Sequence, residues 1–274
     1  MRLRILGSAA AEGWPALFCS CPACQKARAN GGKDLRRRTA YILDEDTLID
    51  YGPDIYGQTL EFNLDLAKVK RLLITHSHTD HLTPRELSWR RKGFSACEGI
   101  MKIYANQASA DRIIQCPTYD SLETIKSELH ILEPGVKFQD EDLSIQTILA
   151  DHAVSPEKPL NYILERDGKC IFIGNDSGWW SQESWEIIKQ YQFDIVIIEC
   201  TYGIRWPAQR AKHMGADVSV EVRDELKRLG CLKENALVAV NHFSHNCQNM
   251  HADFEQFFNP KGIMVGYDGM ILER

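Results

Sequence analysis

The stretch Thr75-His76-Ser77-His78-Thr79-Asp80-His81 restricts this chain more than any other part of it. Its ligand-type side chains follow the pattern H-x-H-x-D-H, directly after the apolar run Leu72-Leu73-Ile74. At an extended strand end, residues two apart point the same way, so His76 and His78 can grip one cation. Where the chain then turns, Asp80 and His81 can face a second. Two cations about 3.5–4 Å apart form a clamp suited to hydrolysis at phosphorus or at a carbonyl. Imidazole and carboxylate without thiolate fit Zn²⁺, Mn²⁺ or Fe better than Cu(I).

Such a pair needs further ligands, and the chain offers them at other strand ends. His152 follows Ile148-Leu149-Ala150-Asp151, Asp176 follows Ile171-Phe172-Ile173-Gly174-Asn175, and His242 follows Val238-Ala239-Val240-Asn241. Each closes an apolar run, so all can converge on one edge of a layered sheet structure. Strands are expected over 3–6, 40–43, 47–50, 69–75, 102–105, 143–149, 161–165, 170–174, 195–199, 236–240 and 263–266. Helices are expected over 84–91, 106–115, 181–190, 215–229 and 251–258, with Ser181 and Thr83-Pro84 as start signals. No linker or repeat splits residues 1–274, which predicts a single α/β domain whose sheets are covered by helices.

Composition narrows the setting. With 44% hydrophobic and 26% charged residues, the chain is neither disordered nor fibrous. A net charge of -6 argues against a broad nucleic-acid or anionic-membrane footprint. No run approaches the roughly 20 apolar residues of a membrane span, and residues 1–7 lack a long apolar signal core, so a cytoplasmic location is expected. There, nine Cys are not expected to build a disulfide framework.

Residues 19–24 hold the second strong pattern, C-x-C-x-x-C, in Phe18-Cys19-Ser20-Cys21-Pro22-Ala23-Cys24. Cys19, Cys21 and Cys24 read as a structural zinc half-site, with His245 of Asn241-His242-Phe243-Ser244-His245 as its fourth ligand. Because His242 and His245 share one loop, the structural zinc is expected to hold the catalytic loop in place. The run Arg36-Arg37-Arg38 reads as a solvated loop, Asp268 as a turn residue, and His130 and His251 as structural. Cys97, Cys116, Cys170, Cys200, Cys231 and Cys247 show no ligand spacing and are expected as core or surface thiols. His213, in a polar stretch just before the long helix, is the candidate general acid; Arg205, Arg210 and Lys212 beside it are candidates for holding a second phosphate.

The series H-x-H-x-D-H, then His, Asp and His, resembles the metallo-β-lactamase superfamily over nearly the whole chain. The opening Gly7-Ser8, Glu12-Gly13-Trp14-Pro15 and C-x-C-x-x-C, the H-x-x-H at His242 and His245, and Gly266-Tyr267-Asp268-Gly269-Met270 are similar to the PhnP family. The resemblance implies a four-layer αββα sandwich with His76, His78 and His152 on one metal. Asp80, His81 and His242 would hold the other, with Asp176 bridging and Asp50 orienting the ligands. It implies His213 and Asp80 as catalytic residues, two active-site metals (Zn or Mn, with Fe as the alternative), one structural zinc, and a homodimer. The reaction it implies is attack of a metal-bridging hydroxide on a small phosphodiester. The family example is 5-phosphoribosyl 1,2-cyclic phosphate, in phosphonate breakdown through carbon–phosphorus lyase. The other readings are an RNA-processing nuclease, a lactonase or thioesterase of the same superfamily, and a non-catalytic metal-binding accessory protein. A small phosphorylated sugar or other diester is the expected partner; nucleic acid is not, because no insertion is long and basic enough to track RNA.

Overall fold

The strand Phe193–Glu199 shows why this sequence folds into layers. Its side chains alternate between two cores: Ile195 and Ile197 pack between the sheets, while Val196 and Ile198 pack beneath the helices of one outer layer. The same alternation divides Leu48 from Ile49 and Leu72 from Leu73 on the opposite sheet. A strand buried on both faces needs a layer on each side, and four layers result.

The computed structural model describes residues 1–153 and 155–274. One sheet runs, in spatial order, Ile271–Glu273, Arg2–Gly7, Ala40–Leu43, Thr47–Ile49, Arg71–Leu73, Met101–Ala105 and Ser127–Ile131. The other runs Met264–Val265, Leu232–Asn241, Phe193–Glu199, Lys169–Gly174, Leu160–Arg166, Leu143–Leu149 and Lys137–Asp140. Both sheets are mixed, antiparallel on one side and parallel on the other. Helices Ile55–Phe62 and Gln107–Ile114 cover the first sheet; Pro22–Asn30, Gln182–Ile188, Ala216–Arg228 and His251–Phe258 cover the second. Among the described residues, no helix is long and apolar enough to cross a membrane and all nine cysteines are free.

Several elements differ from expectation. Pro84–Arg90 is 3-10 rather than α-helical, and its preceding Thr83 makes no side-chain cap. Two helices were hidden by their composition. Pro22–Asn30 starts inside the cysteine cluster, with Cys21 Sγ as its cap, and Ile55–Phe62 is short and carries Gly57. Edge strands Ser127–Ile131 and Lys137–Asp140 carry polar side chains and escape a hydrophobic pattern.

The arginine run is not a solvated loop. Arg36 is buried and donates to Ser8 Oγ (2.9 Å), the Gly266 carbonyl (2.7 Å) and His251 Nδ1 (2.9 Å), with its guanidinium over the Phe243 ring. Arg37 pairs with Glu61, and Arg38 with Asp54 at 2.8 Å. Asp268 does more than shape a turn: it accepts from Ser8 Oγ (2.6 Å) and from the Arg37 N–H (2.7 Å). Burial, and then the charge of Arg36, push His251 down to about 4. An unfolded histidine titrates near 6.5, so between these values the unfolded chain binds the extra proton and stability falls as the pH drops. The loss should reach about 3 kcal/mol by pH 4. Urea unfolding of wild type and His251→Gln across that window tests it: the variant should lack this component, and parallel pH profiles would contradict it.

Candidate active site and metal centres

The ends of Thr47–Ile49, Arg71–Leu73, Leu143–Leu149, Lys169–Gly174, Phe193–Glu199 and Leu232–Asn241 open on one edge of the sandwich. The two sheets are tied there by the Leu160 N–H on the Thr75 carbonyl (2.8 Å) and by Tyr162 Oη–H on the Ile74 carbonyl (2.6 Å). Asp50, Asp176 and His242 all take left-handed backbone conformations, with φ of 64°, 44° and 61°. Such residues cost on the order of 1–3 kcal/mol each and persist where the surroundings over-determine them. Gly52 is required beside them, because a Cβ there would lie 1.9 Å from the Asp80 carbonyl oxygen.

Among the histidines of this edge, His76, His81, His152 and His242 are each aimed by a bond at Nδ1. His76 Nδ1–H donates to Thr75 Oγ1 (3.0 Å), which is itself held by both Asp50 oxygens, and His81 Nδ1–H donates to Asp50 Oδ2 (2.6 Å). His152 Nδ1–H donates to the Lys212 carbonyl (3.2 Å), and His242 Nδ1–H to Thr201 Oγ1 (2.8 Å). Thr201 in turn donates to Glu199 Oε2 at 2.5 Å. Orientation of this kind leaves each Nε2 lone pair for a cation. His78 presents Nδ1 instead, 3.1 Å from His152 Nε2.

Ligand atoms of His76, His78 and His152 form one group within 4.8 Å, and those of Asp80, His81, Asp176 and His242 form another. Asp176 reaches toward both: Oδ2 lies 2.5 Å from His81 Nε2 and 3.7 Å from His76 Nε2, and Oδ1 lies 2.8 Å from His242 Nε2. Yet Nε2 of His76, His81 and His242 and Oδ1 of Asp176 are buried without a hydrogen bond, because their directions miss one another. Buried polar atoms are rarely left so, and here they face a common space suited to metal ions. The charge balance says the same. Burial works against ionising His81 and His242, but Asp80 and Asp176 overcome it, holding His81 well above its ordinary value and His242 up at about 10. Without other cations, buried carboxylates keep protons on these rings; divalent ions at the same atoms replace them.

Cys19, Cys21, Cys24 and His245 form a separate group, with His245 Nδ1 3.5–3.8 Å from each sulfur. Despite its partial burial, the Cys24 N–H and the His245 side chain draw Cys21 down to about 6; burial pushes Cys24 up to about 12. Ionisation is therefore favoured at Cys21 and resisted at Cys24, a conflict that a Zn²⁺ ion resolves by ionising its thiol ligands.

A cleft of about 270 Å³ opens onto the His and Asp groups. His213 lines it, with Nδ1–H on Glu199 Oε1 (3.1 Å) and its ring stacked 5.8 Å from His242, so its Nε2 is left for the cleft. Glu199 is fully buried and also accepts from the Thr201 and Met214 N–H groups, both at 2.7 Å. Sequence reasoning passed over Glu199 and Thr201; the signal was a carboxylate closing the apolar run Ile195-Val196-Ile197-Ile198, where burial demands a partner. Arg205, Arg210 and Lys212 do not line the cleft. Arg205 stacks on Trp206, Arg210 pairs with Glu221 over Trp179, and Lys212 pairs with Asp151 at 3.3 Å.

Glu157 supports the first group from behind. It accepts from the Ser77 N–H (2.7 Å), Ser77 Oγ (2.9 Å) and Asn106 Nδ2 (3.0 Å), pinning the loop between His76 and His78 to the segment after His152. Glu157→Ala should weaken metal binding by that group about 10–100-fold, read by competition with a chromophoric chelator. Unchanged affinity would remove Glu157 from this role.

Comparisons place the chain among known proteins. A family profile described as "Beta-lactamase superfamily domain" matches residues 46–237. Ribonuclease Z of Halalkalibacterium halodurans is 29% identical over 110 residues, covering 39% of this chain and 35% of that protein. Ribonuclease Z of Shouchella clausii is 31% identical over 113 residues, with the same shares of 39% and 35%. The match thus spans about a third of the length of these curated relatives. Zn²⁺-bound PqqB from Methylobacterium extorquens superposes with a TM-score of 0.77 at 16% identity, covering 100% of both chains. A diphosphatase of the PhnP family gives 0.73 at 21%, covering 100% of this chain and 97% of that one. The short form of human tRNase Z gives 0.70 at 18%, covering 100% and 99%. At these identities the structural likeness is one of fold.

Proposed function

The chain belongs to the metallo-β-lactamase superfamily and has its fold, and on that premise we propose that it is a metal-dependent phosphodiesterase of small diesters. The observation that carries this reading is the presence of the two His and Asp groups beside His213, a ring held by Glu199 in the lining of the same cleft. His76, His78 and His152 would hold one cation, and Asp80, His81, Asp176 and His242 the other. When bound, the cations supply Lewis acidity and bring the pKa of water toward neutrality. His213 donates a proton from Nε2 to the departing alkoxide oxygen, which otherwise leaves with an unfavourable charge. Glu199 accepts the Nδ1–H throughout and stabilises the charged ring. Thr201, bonded to both Glu199 and His242, keeps the acid in register with the cation groups. Asp50 and Thr75 do the same for His76 and His81. Two groups of similar proteins, the ribonucleases Z and the PhnP-family diphosphatase, are named for chemistry at phosphorus, which favours a phosphodiester over a lactone or thioester.

The ribonuclease Z relatives also support a second reading, cleavage of RNA at the same centre. Steady-state assays of Zn²⁺- and Mn²⁺-loaded protein separate these readings. Bis(p-nitrophenyl) phosphate and a nucleoside 2′,3′-cyclic phosphate should be hydrolysed, and a lactone should not. Faster cleavage of precursor tRNA than of either small diester would move the assignment to RNA processing; turnover of the lactone alone would overturn it.

A further inference from the structure

We propose that Glu12 sets the substrate class: the cleft takes a diester whose remaining part is uncharged and carries hydroxyl or amino donors, and it disfavours one bearing a second phosphate. This rests on the phosphodiesterase reading above. The wall facing the ligand groups is built from two segments that run side by side, Ala10 to Glu12 and Ser244 to Asn246. They are joined by the Ala10 N–H on the Phe243 carbonyl and the Phe243 N–H on the Ser8 carbonyl, both at 2.9 Å. On this wall Glu12 Oε1 accepts from Asn246 Nδ2 (3.1 Å) and lies 3.7 Å from His245 Nε2, whose other nitrogen faces the three thiols. The cysteine cluster therefore anchors the wall as well as the turn that bears His242.

Glu12 remains 39% exposed, and one donor uses only part of a carboxylate's accepting capacity, so a ligand hydroxyl or amine can bond to it. Among the described residues lining the cleft there is no Lys or Arg. The cations around it are engaged elsewhere: Arg210 with Glu221, Lys212 with Asp151, Arg205 on the Trp206 ring, and Arg38 with Asp54 while its Nε–H donates to the Ala11 carbonyl. A second phosphate, carrying about -1.5 to -2 charge at pH 7, would meet the Glu12 carboxylate with no Lys or Arg lining the cleft to pair it. The phosphorylated sugar implied by the PhnP resemblance is for this reason a poor fit.

The test compares kcat/KM for cytidine 2′,3′-cyclic phosphate and for its 5′-phosphorylated form on wild type, Glu12→Gln and Glu12→Lys, with metal content measured for each. Wild type should favour the unphosphorylated diester by about tenfold or more, Glu12→Gln should narrow the ratio, and Glu12→Lys should bring it to parity or invert it. General damage from a disturbed His245 affects both substrates and cancels in the ratio. A wild-type preference for the 5′-phosphorylated diester, or one ratio shared by all three proteins, overturns the inference while leaving the phosphodiesterase reading intact. Failure of metal-loaded wild type to hydrolyse either compound or bis(p-nitrophenyl) phosphate overturns both.

Discussion

His213→Ala should lower kcat on an alkyl diester by about 10²–10⁴-fold while both cation groups keep their metals. The ring sits at the cleft with Nδ1 on Glu199, outside the group of His76, His78 and His152 and the group of Asp80, His81, Asp176 and His242. Its loss removes a proton donor and leaves those ligands in place. The leaving group supplies an internal control. A nucleoside cyclic phosphate expels an alkoxide and needs the proton, whereas bis(p-nitrophenyl) phosphate expels a stable phenolate and does not. The variant should therefore lose far more rate on the first than on the second. Equal losses on both would make His213 structural. The pH dependence carries the same signature. Burial disfavours charge on His213, but Glu199 and then Asp176 overcome it and hold the ring above its ordinary value. It therefore keeps its proton to a higher pH than a free imidazole does, and the wild-type rate on the alkyl diester should fall as pH rises through that raised pKa. The variant should lack this limb.

Cys24→Ser should lower the melting temperature by about 10 °C or more and reduce active-site metal occupancy with it. Cys24 is fully buried, accepts from the Ala16 N–H (3.3 Å) and faces His245 Nδ1 at 3.5 Å. Serine nearly preserves the shape and removes the soft ligand. Structural zinc contributes on the order of 10 kcal/mol to folding in small domains, so forfeiting half of that amounts to about 5 kcal/mol, a large fraction of a domain's stability. Because His245 and His242 lie on one turn, loosening the first also frees the second. Cys21→Ser should behave likewise. Retained melting temperature with lost zinc would show that the cluster does not stabilise the fold; retained occupancy at the His and Asp groups would break the link between the sites.

The clustering of His76, His78, Asp80, His81, His152, Asp176 and His242 was readable because they either fall within a few residues of one another or end apolar strands, and strand ends on parallel neighbours share an edge. The four-layer arrangement followed from runs such as Ile195-Val196-Ile197-Ile198, which have no polar face to turn to water. What escaped was long-range pairing. Arg36 sits in a basic run, yet its partners Gly266 and His251 lie over 200 residues away in sequence, at separations of 230 and 215, so nothing local marks it as buried. Glu199 and Thr201 gain meaning only once His213 and His242 stand beside them. Arg210 and Lys212 mislead in the opposite way: neighbours of His213 along the chain, they turn to Glu221 and Asp151 instead of the cleft. Proximity in sequence brought His213 to the cleft but not its neighbours.

The most direct measurement is metal content per chain after reconstitution with Zn²⁺, in wild type and in Asp176→Ala, alongside diester hydrolysis. Wild type should bind about three cations, with activity rising only as the second and third load, and the variant should keep about one and lose hydrolysis. A wild type that saturates with about one cation per chain, or an Asp176→Ala that hydrolyses diesters at the wild-type rate, would contradict the assignment of His76, His78, His81, His152, Asp80, Asp176 and His242 to a two-metal hydrolytic centre.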